Sequence, residues 1–227
     1  MKFRYARDAF GYLIQKYEIK KVFMPYYLCD VMRHAAVTHG AKPVFYHIDD
    51  DFMPVQEFPR DAYVLYPNYF GICAKNVEKL AKLYPKLIVD NAHAYFEKPS
   101  GFACFNSAKK FLPVKEGANL WIKDVCEECL SPEKTDFLRR EIFLKYHKKF
   151  PDNELNIDIS DSCIPFCYPY LASSIEIADR LVEKLTADGK TIYRYWNNLP
   201  KSYNEYKFYS RLVPIPLVMT TDSYYRG

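Results

Sequence analysis

Residues 86–111 read KLIVDNAHAYFEKPSGFACFNSAKKF. Two short apolar runs, Leu87–Val89 and Phe102–Phe105, each give way abruptly to polar residues: Asp90-Asn91 after the first, Asn106-Ser107 after the second. Runs of this kind, apolar on both faces, read as strands of a covered, mostly parallel sheet. In open sheets of that type ligands bind at the carboxyl ends of the strands, where these polar residues fall. A carboxylate directly after Leu-Ile-Val is at least partly buried and needs a hydrogen-bonding or cationic partner. Taken alone, Asp90 reads first as a turn cap, since Asp-Asn commonly opens turns.

Working outward, the same alternation continues on both sides. RDAFGYLIQKY (7–17) sets Ala9, Phe10, Leu13, Ile14 and Tyr17 at helical spacing. KKVFMP is a buried strand stopped by Pro25, and YLCDVMRHAAVTHG is a helix closed by Gly40. KPVFYHID and AYVLYPNYFGI are strands, NVEKLAKLY is a helix, and ANLWIK is a strand. The pattern predicts an α/β domain over residues 1–152. From about residue 133 the character changes to a charged amphipathic helix and then a polar loop at 151–162. A helix, a turn at Asp188-Gly189, a strand through YRYW and a last extended segment, SRLVPIPLVM, follow. Residues 153–227 are expected to form a small α+β subdomain in which Trp196 anchors the packing.

The 227 residues are enough for one sizeable core, or for one domain with an appendage. Aromatics are abundant, with 21 Tyr and 16 Phe, which suits cores, pockets and interfaces. Net charge is +4, but basic residues interleave with acidic ones and no nucleic-acid motif occurs, so nucleic-acid binding is not expected. No apolar run reaches membrane-spanning length, and the N-terminus lacks the apolar segment of a signal peptide. A cytoplasmic protein is the expectation. Seven cysteines are dispersed along the chain; Cys126 and Cys129 form one C-x-x-C without two further ligands nearby, so no zinc site is expected. Cys163 and Cys167 read as buried thiols. His34, His39, His47 and His147 show no metal-ligand spacing.

Ser107 and Lys110 stand as S-x-x-K. Serine acyl-transferring enzymes share that spacing, but they also need S-D-N and K-T-G, which are absent. The other chemistry is an amine that forms a Schiff base, with a carboxylate such as Asp90 holding a pyridinium nitrogen and Ser107 donating to a phosphate.

The chain resembles the DegT/DnrJ/EryC1/StrS family of PLP-dependent aminotransferases, whose fold is that of aspartate aminotransferase (fold type I). The residues that carry the resemblance are VDNAHA (89–94) and NSAKKFLPVKEGA (106–118). ARDAF (6–10), VFMPYYLCDVMRHAAVTHGAKPVFYHID (22–49) and YPNYFGI (66–72) match in order, and YPYLASS and LVPIPL look like the small C-terminal domain of compact members. The resemblance implies that Lys110 is the Schiff-base lysine and proton shuttle, and that Asp90 is the pyridine-nitrogen partner. His93 would contact the ring oxygen or the ring face, and Ser107 would bind the phosphate. A helix N-terminus at Ala6 and Arg7 would complete the phosphate cup. Tyr26 or Tyr27 would stack on the ring, and Asn68 would line the pocket. The sequence departs from many relatives at Tyr5-Ala6-Arg7, where they carry Ser-Gly-Thr or Ser-Gly-Arg.

The implied activity is transfer of an amino group, from glutamate, to a keto sugar that is nucleotide-linked, in surface-polysaccharide (lipopolysaccharide) or amino-sugar biosynthesis. The implied cofactor is pyridoxal 5′-phosphate and the implied assembly a homodimer. The alternative is a non-enzymatic member of the fold acting as a binding or structural subunit.

Overall fold

The computed structural model describes residues 1–125 and 137–217. The first part is a repeated strand–helix chain: β1 (Lys2–Phe3), α1 (Ala6–Lys16), β2 (Lys21–Pro25), α2 (Asp30–Thr38), β3 (Lys42–Tyr46), β4 (Tyr63–Pro67), α3 (Ala74–Leu83), β5 (Leu87–Asn91), β6 (Ala103–Asn106) and β7 (Ala118–Ile122). These strands make one seven-stranded sheet in the order β1-β7-β6-β5-β4-β2-β3. Strands β2 to β6 run parallel, whereas β7 is antiparallel to β6 and β1 antiparallel to β7.

Strand periodicity explains why both faces are covered. Val22, Met24, Leu65, Ile88, Ala103 and Phe105 point to one face, where they meet Ala9, Phe10, Leu13 and Ile14 of α1 and Met32, Ala35 and Ala36 of α2. The alternate residues Phe23, Val64, Tyr66, Leu87, Val89 and Cys104 point to the other face, against Val77 and Leu80 of α3. Gly40 ends α2 at φ 89°, a conformation that glycine adopts without strain.

The rest of the chain supplies α4 (Phe137–Lys149), β8 (Cys167–Leu171), α5 (Ile175–Ala187), α6 (Tyr206–Ser210) and β9 (Leu212–Pro216). Strands β8 and β9 pair antiparallel, setting Tyr168 opposite Ile215 and Tyr170 opposite Val213. Those four residues pack with Phe143 of α4 and with Ala178 and Leu185 of α5. Cys167, Leu171 and Leu212 face the opposite way and join the core on the α3 side of the large sheet. Ser174 caps α5 by accepting from the Ile177 N–H at 3.3 Å. No described helix is long and apolar enough to cross a membrane.

The structure differs from the sequence reading at three places. The expected strand through YRYW is irregular: residues 190–200 pair with no strand, and Trp196 takes φ 57°. Its rings pack inward on Tyr27, Tyr69 and His93 rather than alternating along a ladder. Strand β1 and helix α6 are too short to show a period in the sequence. The C-x-x-C at Cys126 and Cys129 lies outside the described residues.

Glu205 fastens this tail to the large sheet. It is 0% exposed and accepts the Ile48 N–H at 2.8 Å, while both its oxygens lie 3.0 Å from His47 Nδ1. Removing the carboxylate strands a buried N–H, which costs about 1–3 kcal/mol. Glu205→Ala is therefore expected to lower unfolding stability by that amount in a urea titration. Glu205→Gln, which keeps one acceptor oxygen, is expected to lose less.

Candidate active site

Strand order reverses around β2, with β3 on one side and β4 on the other, and a crevice opens at the carboxyl ends there. An open cleft of about 780 Å³, solvent included, lies at these ends. Ala6, Arg7, Asn68, Asp90, His93, Ser107 and Lys110 all line it. Backbone ladders bring the distant pieces together. The Ala108 N–H donates to Gly117 O and the Gly117 N–H to Arg4 O, both at 2.8 Å, so the start of α1 sits beside the turn that carries Ser107 and Lys110.

Asp90 is the fourth residue of β5 and 8% exposed. One oxygen, Oδ1, accepts the Ala92 N–H at 2.8 Å; Oδ2 has no hydrogen-bond partner among the described residues. Burial raises its pKa from 3.8 to about 6, against the lowering effects of the Ala92 N–H and of Lys110. Ser107, 6% exposed, lines the cleft, and its hydroxyl has no hydrogen-bond partner among the described residues. Two polar groups of largely buried residues, each with unused hydrogen-bonding capacity, thus open onto one cleft. Such groups mark a place for a ligand or an ordered water.

The adjacent lysines are not equivalent. Lys109 Nζ lies 5.9 Å from the Tyr5 ring centre, at the edge of the cleft. Lys110 Nζ is 2.7 Å from His93 Nε2 and sits 5.3 Å from the Phe166 ring centre and 5.8 Å from that of Tyr195. Burial lowers the Lys110 pKa; Cys29 and Asp90 oppose that shift and Lys109 adds to it. Burial, with the neighbouring Lys110 charge, drives His93 well below its ordinary value and leaves its imidazole neutral. His93 rests on a tight turn. At Gly71, φ is 74° and a Cβ would lie 2.3 Å from the His93 carbonyl oxygen, so only glycine fits.

Asn68 is a wall of the cleft. Its Nδ2 donates to Asn91 Oδ1 at 3.2 Å and its Oδ1 accepts the Cys73 N–H at 2.9 Å. At the start of α1 the Tyr5 N–H donates to Asp8 Oδ2 at 3.1 Å, and the Arg7 guanidinium lies 4.3 Å from the Tyr5 ring centre.

Tyr26 and Tyr27 do not line the cleft. The Tyr26 N–H donates to Tyr46 O at 2.9 Å, extending the β2–β3 ladder by one residue, and its ring goes to Phe45, His47 and Tyr203. Tyr27 is wholly buried against Tyr69, Trp196 and Phe208. The chain turns toward the cleft only at Leu28 and Cys29, which line it. Trp196 lines it too, and no local pattern in the sequence announces that. Among the described residues no group of three or more His, Cys, Asp or Glu could hold a metal ion.

The backbone trace matches solved structures over nearly its whole length. The fold is that of the PLP-dependent aminotransferases. The chain is similar to a DegT/DnrJ/EryC1/StrS aminotransferase from Brucella abortus, with TM-score 0.69 and 14% identity over 98% of this chain and 82% of that one. It is similar to Spr1654 from Streptococcus pneumoniae in its PLP form, with TM-score 0.69, 15% identity, and 98% and 83% of the two chains covered. It is also similar to PseC of Helicobacter pylori, an aminotransferase involved in the biosynthesis of pseudoaminic acid, with TM-score 0.67, 16% identity, and 98% and 83% covered. No protein-family model matches the sequence, and no curated protein does.

Asp90 makes stability depend on pH. Its folded pKa lies above the ordinary value, so the folded state holds the proton more tightly, and the associated stability is present below about pH 4 and lost as pH rises to about 6. A displacement from 3.8 to about 6 corresponds to roughly 3 kcal/mol. Asp90→Asn, which keeps an oxygen for the Ala92 N–H, is expected to match wild type at pH 4 and to exceed it by ~2–3 kcal/mol at pH 7. Denaturant titrations of both proteins across that range check this.

Proposed function

We propose that the chain is a PLP-dependent aminotransferase acting on a keto sugar. The observation that carries the reading is the convergence, in one cleft, of the Lys110 amine, a buried carboxylate with one free oxygen and a buried hydroxyl with no partner among the described residues. The donor set fits PLP. The amine of Lys110 suits the aldehyde, the free oxygen of Asp90 suits a protonated pyridine nitrogen, and Ser107 with the first-turn N–H groups of α1 suits a phosphate. Arg7 and Lys109 add positive charge beside that phosphate position.

When bound, PLP supplies an electron sink for the negative charge that develops at the carbon bearing the amine. The protein's own residues do the rest. Asp90, ionised above about pH 6, would accept a hydrogen bond from the pyridine N–H and so keep that nitrogen protonated. Lys110, its basicity lowered by burial, takes and returns a proton at the substrate carbon. His93, neutral, holds the Lys110 amine through Nε2. Trp196 and Met32 cover the apolar part of the cleft and limit water there.

Glutamate is the amino donor in this reading, and the acceptor is a nucleotide-linked keto sugar of surface-polysaccharide or amino-sugar biosynthesis. The working form is a cytoplasmic homodimer. Support for the acceptor class comes from the fold's likeness to an enzyme of pseudoaminic acid biosynthesis.

Titration with PLP tests the proposal. Wild type is expected to gain a visible absorbance band that glutamate bleaches, and Lys110→Ala to gain none. A wild type that stays colourless at high PLP sinks the reading. Ser107→Ala is expected to weaken PLP binding about tenfold, for the loss of one hydrogen bond to a charged group, while binding of pyridoxal without its phosphate is unchanged.

A further inference from the structure

His93 lies within a slab of aromatic rings from distant parts of the chain. The Phe166 ring is 4.4 Å from the imidazole and tilted by 10°; the Trp196 ring is 5.7 Å away and tilted by 11°. Phe70 lies 5.9 Å away at 25°. An imidazole that serves another group is usually oriented by a hydrogen bond on its second nitrogen. His93 Nδ1 has no such partner among the described residues, and its ring is packed between these parallel rings with Tyr195 edge-on 5.3 Å away at 60°.

We propose that Phe166 and Trp196 are positioning residues for Lys110, acting through His93. Their rings hold the imidazole so that the Nε2 lone pair accepts an N–H from Lys110 Nζ, at 2.7 Å. The arrangement works with the lysine as ammonium or as amine, since both donate. Both rings come from outside the region that carries Lys110: Phe166 directly precedes β8, and Trp196 lies in the irregular segment that replaces the expected strand. Phe166 is fixed in turn by its N–H, which donates to Phe70 O at 2.9 Å. The small C-terminal part would thereby set the geometry of an amine that belongs to the large sheet. The titratable groups acting on Lys110 are Cys29, Asp90, Lys109 and Cys167, and the Arg139 guanidinium donates to Phe166 O at 3.1 Å.

The test is read on cofactor-free protein, so it stands apart from whether PLP binds. Trace acetylation with acetic anhydride across a pH series, followed by mass spectrometry of the peptide, gives the titration midpoint of Lys110, with Lys109 as internal control. Removing an uncharged acceptor disfavours the ammonium, so His93→Leu is expected to lower the midpoint by about one pH unit, a tenfold change in the amine fraction. Phe166→Leu and Trp196→Leu are expected to lower it in the same direction, and to add nothing in the His93→Leu background. Phe166→Tyr and Trp196→Phe, which keep a ring, are expected to retain the wild-type midpoint. A rise in the midpoint on losing either ring would mean that the rings only exclude water, and it overturns the proposal. So does an equal shift with and without His93, or no shift in folded variants. Nitrogen-15 NMR of wild-type His93 gives a check that needs no variant: a neutral ring with a proton on Nδ1 and a bare Nε2 is expected, and a protonated Nε2 refutes it.

Discussion

Because α1 and α2 cover one face of the seven-stranded sheet, and α3 with β8–β9 covers the other, a polar side chain leaves the sheet with least penalty at a strand end. Asp90 and Ser107 are the residues that do so, at the ends of the neighbouring strands β5 and β6. Register keeps them together: Asp90 pairs with Phe105 and Asn91 with Asn106. The reversal of strand order beside β4 then prevents a crossover helix from closing over them. The cleft follows from the topology, and its chemistry follows from which residues terminate the strands.

Burial governs the electrostatics of the cleft more than pairing does. It is the largest influence on Asp90, on His93 and on Lys110, and it pushes each toward its neutral form. The Asp90–Lys110 attraction opposes that drift without overcoming it. Asp90 is ionised above about pH 6 and takes up a proton below it, so its charge lies within reach of what binds beside it. A cationic ring nitrogen arriving there would favour the Asp90 carboxylate further, and an arriving anion would be met by α1 and the flanking Arg7 and Lys109.

The parts of the site legible in the sequence were those with short spacing on a recognisable strand. Asp90, His93, Ser107 and Lys110 fall within twenty-one residues, and the apolar runs before them place two strand ends side by side. What stayed hidden depended on contacts made far along the chain. Tyr26 and Tyr27 follow Pro25, and the strand was expected to stop there. The Tyr26 N–H instead continues the ladder to Tyr46, so one ring turns to β3 and the next into the core. Trp196 lies in a stretch whose alternation resembles a strand, yet with no strand edge beside it the rings pack inward on His93 and Tyr69. Likewise a composition change after residue 133 is visible in the sequence, whereas the packing of Phe143 with Tyr168 and Ala178 is not.

The departure at Tyr5-Ala6-Arg7 can be weighed in the same terms. A serine and a glycine would offer a hydroxyl and close backbone approach. Here Asp8 holds the Tyr5 N–H, and the Tyr5 ring has the Arg7 guanidinium 4.3 Å and the Lys109 ammonium 5.9 Å from its centre. A cation over an aromatic face is held there by the ring quadrupole, which restricts where its charge sits. Tyr5, Ala6 and Arg7 at the start of the helix line the cleft, the Asp8 and Ala9 N–H groups return to Tyr5 O, and Ala6 keeps the side chain there small. Such a cup would recognise a phosphate through charge fixed on a tyrosine platform more than through hydroxyl donors. Affinity built that way falls with added salt more steeply than affinity built from neutral hydrogen bonds, because the Arg7 side chain is partly open to solvent.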